Sequence, residues 1–180
     1  MSDTLAELLA AKIRDVPDYP KPGVVFKDIA PLLGDAEALA ALVDHLAARA
    51  KALGATKVVG LEARGFILAA PAAYSAGAGF VPVRKAGKLP GDCHRQAYDL
   101  EYGSAVIEVQ IDAFAPGERV LVVDDVLATG GTVEAALDLI RRGGAELAGV
   151  EVLMELSFLG GRARLAPLLG QAPLETVITV

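Results

Sequence analysis

Apolar and polar positions follow two periods along this chain, and the changes of period mark out its elements. Residues 1–16 repeat at helical spacing, with charges throughout. A proline-rich stretch, Val16 to Pro22, separates them from Gly23-Val24-Val25-Phe26-Lys27-Asp28. A second helix is predicted from about Asp35 to Leu53, stopped by Gly54. Lys57 to Leu61 reads as a buried strand that runs into Glu62-Ala63-Arg64-Gly65, followed by a helix from about Phe66 to Ser75 and a strand from Phe80 to Arg84. Lys85 to Gly103 is polar and without period, which predicts one long loop. Ala105 to Ile111 alternates as a strand. Val120 to Val123 is continuously apolar, as a strand covered on both faces must be. From Val133 to Arg142 the apolar positions Val133, Ala136, Leu137 and Ile140 return to helical spacing. Val150 to Leu156 and Thr176 to Val180 are late strands, and between them Leu159-Gly160-Gly161-Arg162 is a turn leading into a helix.

Helices alternating with short apolar strands predict an α/β fold, a Rossmann-like and mostly parallel sheet flanked by helices. No repeat, low-complexity tract or charged linker divides the sequence, so residues 1–180 are expected to form one domain. Its core is aliphatic, because the chain is 53% hydrophobic but only 5% aromatic. A net charge of −6 argues against a sequence-independent nucleic-acid binder, which carries a basic stripe. The uncharged run from Gly65 to Val83 approaches the length of a membrane span, but Pro71, Gly77, Gly79 and Pro82 interrupt it. With no signal-peptide pattern at the start, a soluble cytoplasmic protein is expected. The single cysteine, Cys93, excludes an internal disulfide framework, and with only His45 and His94 no zinc cluster is spelled out. Adjacent side chains rarely aim at one another, so Cys93-His94 is assigned no chemistry; His45 is expected to be solvated.

The candidate chemistry gathers after the apolar run at Val120. It ends in Asp124-Asp125, and Thr129-Gly130-Gly131-Thr132 then opens a helix. Ligands of parallel sheets bind beyond the carboxyl ends of the strands. There, glycines turn backbone N–H groups toward an anion, threonines add hydroxyl donors and the helix start adds partial positive charge. This is a cradle for one phosphate. Two carboxylates would repel that phosphate, so they suit sugar hydroxyls, or a magnesium ion with its waters. Together the two parts describe a phosphorylated ribose. Glu62-Ala63-Arg64-Gly65 repeats the design with a guanidinium, as a second anion site. The long loop starts with Arg84, Lys85 and Lys88, cations that suit a departing polyanion, and a closing loop also excludes water. Neither a Walker A pattern nor a G-x-G-x-x-G after a strand is present.

The segment Val120 to Thr132 resembles the signature of the type I phosphoribosyltransferases: a hydrophobic strand, two acids, a short spacer and a Thr-Gly-Gly-Thr loop. The resemblance implies that Asp124 and Asp125 hold the ribose hydroxyls of phosphoribosyl pyrophosphate (PRPP), and that Ala128, Thr129, Gly130, Gly131 and Thr132 hold its 5-phosphate. Glu62, Ala63, Arg64 and Gly65 resemble the family's pyrophosphate loop, which implies a cis peptide between Glu62 and Ala63; Arg84, Lys85, Lys88 and Tyr102 would join them on pyrophosphate. Val81 to Gly91, Tyr98 to Gly103 and the early PGVVFKDI are similar to the branch whose acceptor is adenine. That likeness runs from about Asp18 to Arg162. It implies a hood, about residues 15–34, in which Phe26 stacks on adenine and the backbone of Val25 and Lys27 bonds its edge. It also implies that Glu101, in a flexible catalytic loop, takes a proton from the base. Lys27 stands where the family usually has Arg, and Gly91 to Gln96 departs from the family sequence.

The implied activity is purine salvage by a homodimer that uses Mg2+ held mainly by substrate oxygens, with AMP and pyrophosphate as products and Arg84 reaching a neighbouring subunit's site. Neither nucleic acid nor membrane is an implied partner. The alternatives are transfer to hypoxanthine, guanine, xanthine or orotate, and a noncatalytic PRPP-sensing regulator.

Overall fold

The computed structural model describes residues 2–99 and 104–180, and the chain divides into two compact units at His45/Leu46. In the first unit, helix α1 (Ser2–Ala10) is followed by strand β1 (Arg14–Pro17), strand β2 (Val25–Asp28), the short helix α2 (Ala30–Leu33) and the start of helix α3 (Ala36–Ala52). β1 and β2 form an antiparallel hairpin with Asp15 opposite Lys27 and Val16 opposite Phe26. Ion pairs hold it: Arg14 with Asp28 at 2.5 Å and Lys27 with Asp15 at 2.7 Å. Tyr19 packs edge-on against Phe26, with ring centroids 5.2 Å apart. The N-terminal helix is therefore shorter than its periodicity predicts. Pairing with β2 takes Arg14 to Pro17 into a strand, an outcome set by residues eight to fourteen positions away rather than by local pattern. Asp35 caps α3 by accepting the Ala38 N–H at 3.0 Å.

The second unit is built on a seven-stranded sheet. In chain order its elements are β3 (Lys57–Leu61), α4 (Arg64–Ala76), β4 (Gly79–Lys85), β5 (Cys93–Asp99), β6 (Ser104–Gln110), β7 (Arg119–Leu127), α5 (Gly131–Arg142), β8 (Glu146–Glu155), a 3-10 turn (Ser157–Leu159), α6 (Gly161–Leu169) and β9 (Leu174–Thr179). The order across the sheet is β5-β6-β4-β3-β7-β8-β9. From β4 to β9 neighbours run parallel, while β6 pairs antiparallel with both β4 and β5. Val58, Val59 and Leu61, and all of Val120 to Val123, are out of contact with solvent, as expected where helices cover both faces of the strands. Gly60 lets α4 come close: a Cβ there would stand 2.9 Å from the Ala69 methyl.

Two further expectations about the strands are corrected. The predicted loop from Lys85 to Gly103 contains a strand, since Cys93–Asp99 pairs along its length with Ser104–Gln110. Its residues lack an apolar alternation because β5 is an edge strand anchored by polar contacts. Arg142 donates to the Arg95 carbonyl at 2.9 Å and to Gln96 Oε1 at 2.7 Å. The acid pair also lies within β7 rather than at its end. β7 continues to Leu127 because β8 keeps pairing with it up to Leu127 opposite Glu155, whereas its ladder with β3 stops at Val123 opposite Gly60.

Among smaller points, His45 is half-buried and partnered rather than simply solvated. No helix of the described residues is long and apolar enough to cross a membrane.

Candidate active site

The chain leaves β3 for β4 on one side of the sheet and leaves β7 for β8 on the other. The two connections diverge between β3 and β7, which makes the C-terminal ends of these strands the crevice where an open α/β sheet takes its ligand. Both sequence-predicted anion loops meet there. Arg64, first residue of α4, brings Nε to 2.7 Å from Asp125 Oδ2. The approach is poorly aligned, and that buried oxygen accepts no hydrogen bond. Gly65 packs so tightly on β7 that a Cβ would be 2.9 Å from both Asp124 Oδ1 and the Val123 carbonyl oxygen. The Glu62-Ala63 peptide is cis, as the sequence resemblance implies.

Asp124 is half-buried and Asp125 is 5% exposed. Burial, and then repulsion from Asp125, pushes the Asp124 carboxyl well above the usual carboxylate range, although its Oδ1 accepts the Asp125 N–H at 2.9 Å. Positive charge or hydroxyl donors arriving there would favour its ionised form. Beyond the acids, Ala128, Thr129 and Gly130 form the turn into α5. Gly130 takes a left-handed φ of 83°, which a residue with a side chain would adopt only under strain. The first N–H groups of α5, from Gly131 and Thr132 onward, have no acceptor earlier in the helix and are available to an anion.

The cations of the long segment are gathered by Glu62, whose side chain is 9% exposed. It accepts from Lys88 Nζ, from the Lys85 N–H at 2.9 Å and from Arg84 Nε at 3.3 Å. Burial pushes Glu62 up, but the Lys88 ammonium, the Lys85 N–H and Arg84 outweigh it and hold the group below its ordinary value. Arg84 also lies over the Phe66 ring, 5.8 Å from its centroid.

Glu108 on β6 was not anticipated, because in an alternating strand it occupies what looks like a solvent-facing position. It is fully buried and accepts the Lys88 and Leu89 N–H groups at 2.9 and 3.0 Å, and Arg95 Nε at 3.0 Å. Burial pushes it up, yet these donors draw it down to about 2. It therefore fixes the turn that carries Lys88. The one available signal was an acid facing Arg95 across a hairpin, which needed β5 to be recognised first. Cys93 and His94 are successive strand residues, so their side chains leave opposite faces, and burial raises the Cys93 thiol. Glu101 and Tyr102 lie outside the described residues.

A crevice that gathers an acid pair on β7, a glycine turn into α5 and a guanidinium from α4 fits a phosphoribosyl transferase, and residues 33–164 match the family described as the phosphoribosyl transferase domain. The adenine phosphoribosyltransferase of Streptomyces coelicolor is 70% identical over 176 residues, spanning 98% of this chain and 97% of the relative. Solved structures agree. Adenine phosphoribosyltransferase from Rhodothermus marinus superposes with a TM-score of 0.90 at 48% identity, covering 99% of both chains. The enzyme from Saccharomyces cerevisiae, determined with an imino-altritol bisphosphate and adenine, gives 0.89 at 38% identity over 97% of this chain and 99% of that one. The chain belongs to the phosphoribosyl transferase domain family, and within it to the adenine phosphoribosyltransferases, which are pentosyl-transferring glycosyltransferases.

Proposed function

We propose that this chain transfers the 5-phosphoribosyl group of PRPP to adenine, releasing pyrophosphate and AMP, as a step of purine salvage. The observation that carries the reading is the meeting of Arg64 with Asp125 at 2.7 Å, which supports a pyrophosphate role for the first and a ribose role for the second in one site. Asp124 and Asp125 take the ribose hydroxyls, and Ala128 to Thr132 take the 5-phosphate through backbone N–H groups and threonine hydroxyls. Ala63, Arg64 and Gly65 take pyrophosphate with Arg84, Lys85, Lys88 and Tyr102, while Glu62 holds Arg84 and Lys88 in place. Preset cations stabilise charge that grows on the leaving group as its bond to C1 lengthens. Val25, Phe26 and Lys27 take adenine. β2 has a strand partner on one side only, and the Lys27 ammonium is spent on Asp15, which leaves main-chain groups for the base. Glu101 receives the imidazole proton as N9 attacks C1.

Magnesium would fit this donor set: Asp125 Oδ2, buried and without a hydrogen bond although Arg64 Nε lies 2.7 Å away, could balance a cation brought in with the substrate. Bound mainly by substrate oxygens, it would supply further neutralisation of pyrophosphate. The fold works as a single domain in a cytoplasmic homodimer, without nucleic acid or membrane. Exposed Ile67 and Tyr74, seven residues apart on α4, would supply an apolar face for self-association.

A purified-protein assay with PRPP, Mg2+ and adenine, hypoxanthine, guanine, xanthine or orotate tests the reading. AMP formation with adenine alone is expected; turnover of hypoxanthine but not adenine, or binding of PRPP without turnover, overturns it.

A further inference from the structure

Behind the phosphate loop stands the first turn of α6. A Cβ on Gly161 would overlap the Ala128 carbonyl oxygen and lie 3.1 Å from Gly130 N, and a Cβ on Gly130 would lie 3.0 Å from the Gly161 carbonyl oxygen. The two backbones are thus in direct contact, with a glycine on each side.

Leu165, fully buried, seats α6 on the core, but apolar burial is non-directional and tolerates sliding along the helix axis. Arg162 supplies the direction. Its Nε and Nη2 grip Glu155 at 2.9 and 2.6 Å, and Nη1 donates to the Leu174 carbonyl at 2.8 Å. Glu155 is the residue in register with Leu127, the last residue of β7 before the loop, and the Leu156 N–H donates to the Leu127 carbonyl at 2.9 Å. The fork therefore indexes α6 to the rung from which the phosphate loop departs. Arg164 adds a tie at 2.5 Å to Glu134 in the first turn of α5.

We infer that Arg162 and Gly161 are positioning residues for the 5-phosphate loop, holding Ala128 to Gly130 in the conformation that aims backbone N–H groups at the phosphate. The inference rests on the reading of Ala128 to Thr132 as the 5-phosphate site. Ribose 5-phosphate is the appropriate probe, since it carries that phosphate but neither pyrophosphate nor base.

Arg162→Met keeps an apolar stem and removes the fork; Gly161→Ala pushes on Ala128 by a separate route. Each is expected to weaken ribose 5-phosphate and AMP binding by about tenfold, the scale of effect that a small misplacement of a positioning group produces. Pyrophosphate affinity should stay within about twofold, and kcat at saturating substrate should be retained, so that the loss falls on KM for PRPP. Arg162→Lys keeps the charge without the planar fork and should fall between wild type and Arg162→Met. Unchanged ribose 5-phosphate affinity in both Arg162→Met and Gly161→Ala, or an equal loss for pyrophosphate, overturns the inference. If either substitution prevents folding, the other decides it. Thr132→Ala is the control for the underlying reading: if it leaves ribose 5-phosphate binding unchanged, the loop is not the phosphate site, a failure distinct from that of the inference.

Discussion

Gly65 and Asp124 touch across the seam between the pyrophosphate loop and β7, with no room for even a methyl group between the Gly65 Cα and Asp124 Oδ1. Gly65→Ala is therefore expected to turn the Asp124 carboxylate away from the ribose. KM for PRPP should rise by about tenfold or more, and the melting temperature should fall as well, because the new methyl also meets the Val123 carbonyl oxygen at 2.9 Å, backbone that cannot swing aside. Steady-state kinetics beside a thermal melt would check both halves.

Asp124 gives a pH prediction. Its folded value is raised from 3.8, so its contribution to stability is present below 3.8 and declines as pH rises toward the folded value. Asp124→Asn keeps an oxygen for the Asp125 N–H and removes the buried charge. The ligand-free variant should be more stable than wild type near neutral pH by about 1 kcal/mol, and much less active, in the usual trade between stability and function. Urea unfolding across pH, without ligand, measures it; equal curves for the two proteins would contradict it.

Arg64→Met leaves Asp125 buried beside Asp124 without its cation. Since the guanidinium is 38% exposed, the stability loss should be roughly 2 kcal/mol, below the range for fully buried pairs. The double variant Arg64→Met/Asp125→Asn should recover most of that loss without recovering activity, which a double-mutant cycle would resolve.

Glu108 behaves in the opposite sense to Asp124. Its value is lowered from 4.5 to about 2, so its stabilisation is complete above 4.5 and is lost as pH falls through about 2. Glu108→Gln should cost about 1–3 kcal/mol at neutral pH by weakening the acceptor for Lys88, Leu89 and Arg95. The difference from wild type should shrink in acid. KM for pyrophosphate should also rise, since Lys88 rides on the turn that Glu108 holds.

The parallel strands were legible in the sequence because burial on both faces leaves an unbroken apolar run, as at Val120 to Val123, that no exposed segment imitates. The turn from Thr129 into α5 was legible because glycine and threonine at fixed places leave few other conformations. β1 and β5 were not, since their conformation is set by partners. Arg14 to Pro17 is a strand only against β2, and Cys93 to Asp99 only against β6 and Arg142. The extension of β7 past its acids depended on the length of β8. Glu108 escaped for a related reason: alternation gives the side of a strand on which a residue lies, not whether a hairpin folds over that side.

The divergence of connections at β3 and β7 also sets a length. The Ala63 to Gly65 segment proposed for pyrophosphate leaves β3 and the acids proposed for ribose stand on its neighbour β7, so the separation of these two groups is tied to the spacing of hydrogen-bonded strands, about 4.8 Å, rather than to any side-chain rotamer. With those roles the sheet would act as a ruler for the donor. Substitutions in the loops can strengthen or weaken the grip at either end, but a ligand whose pyrophosphate and diol are spaced differently would be rejected by the main chain itself.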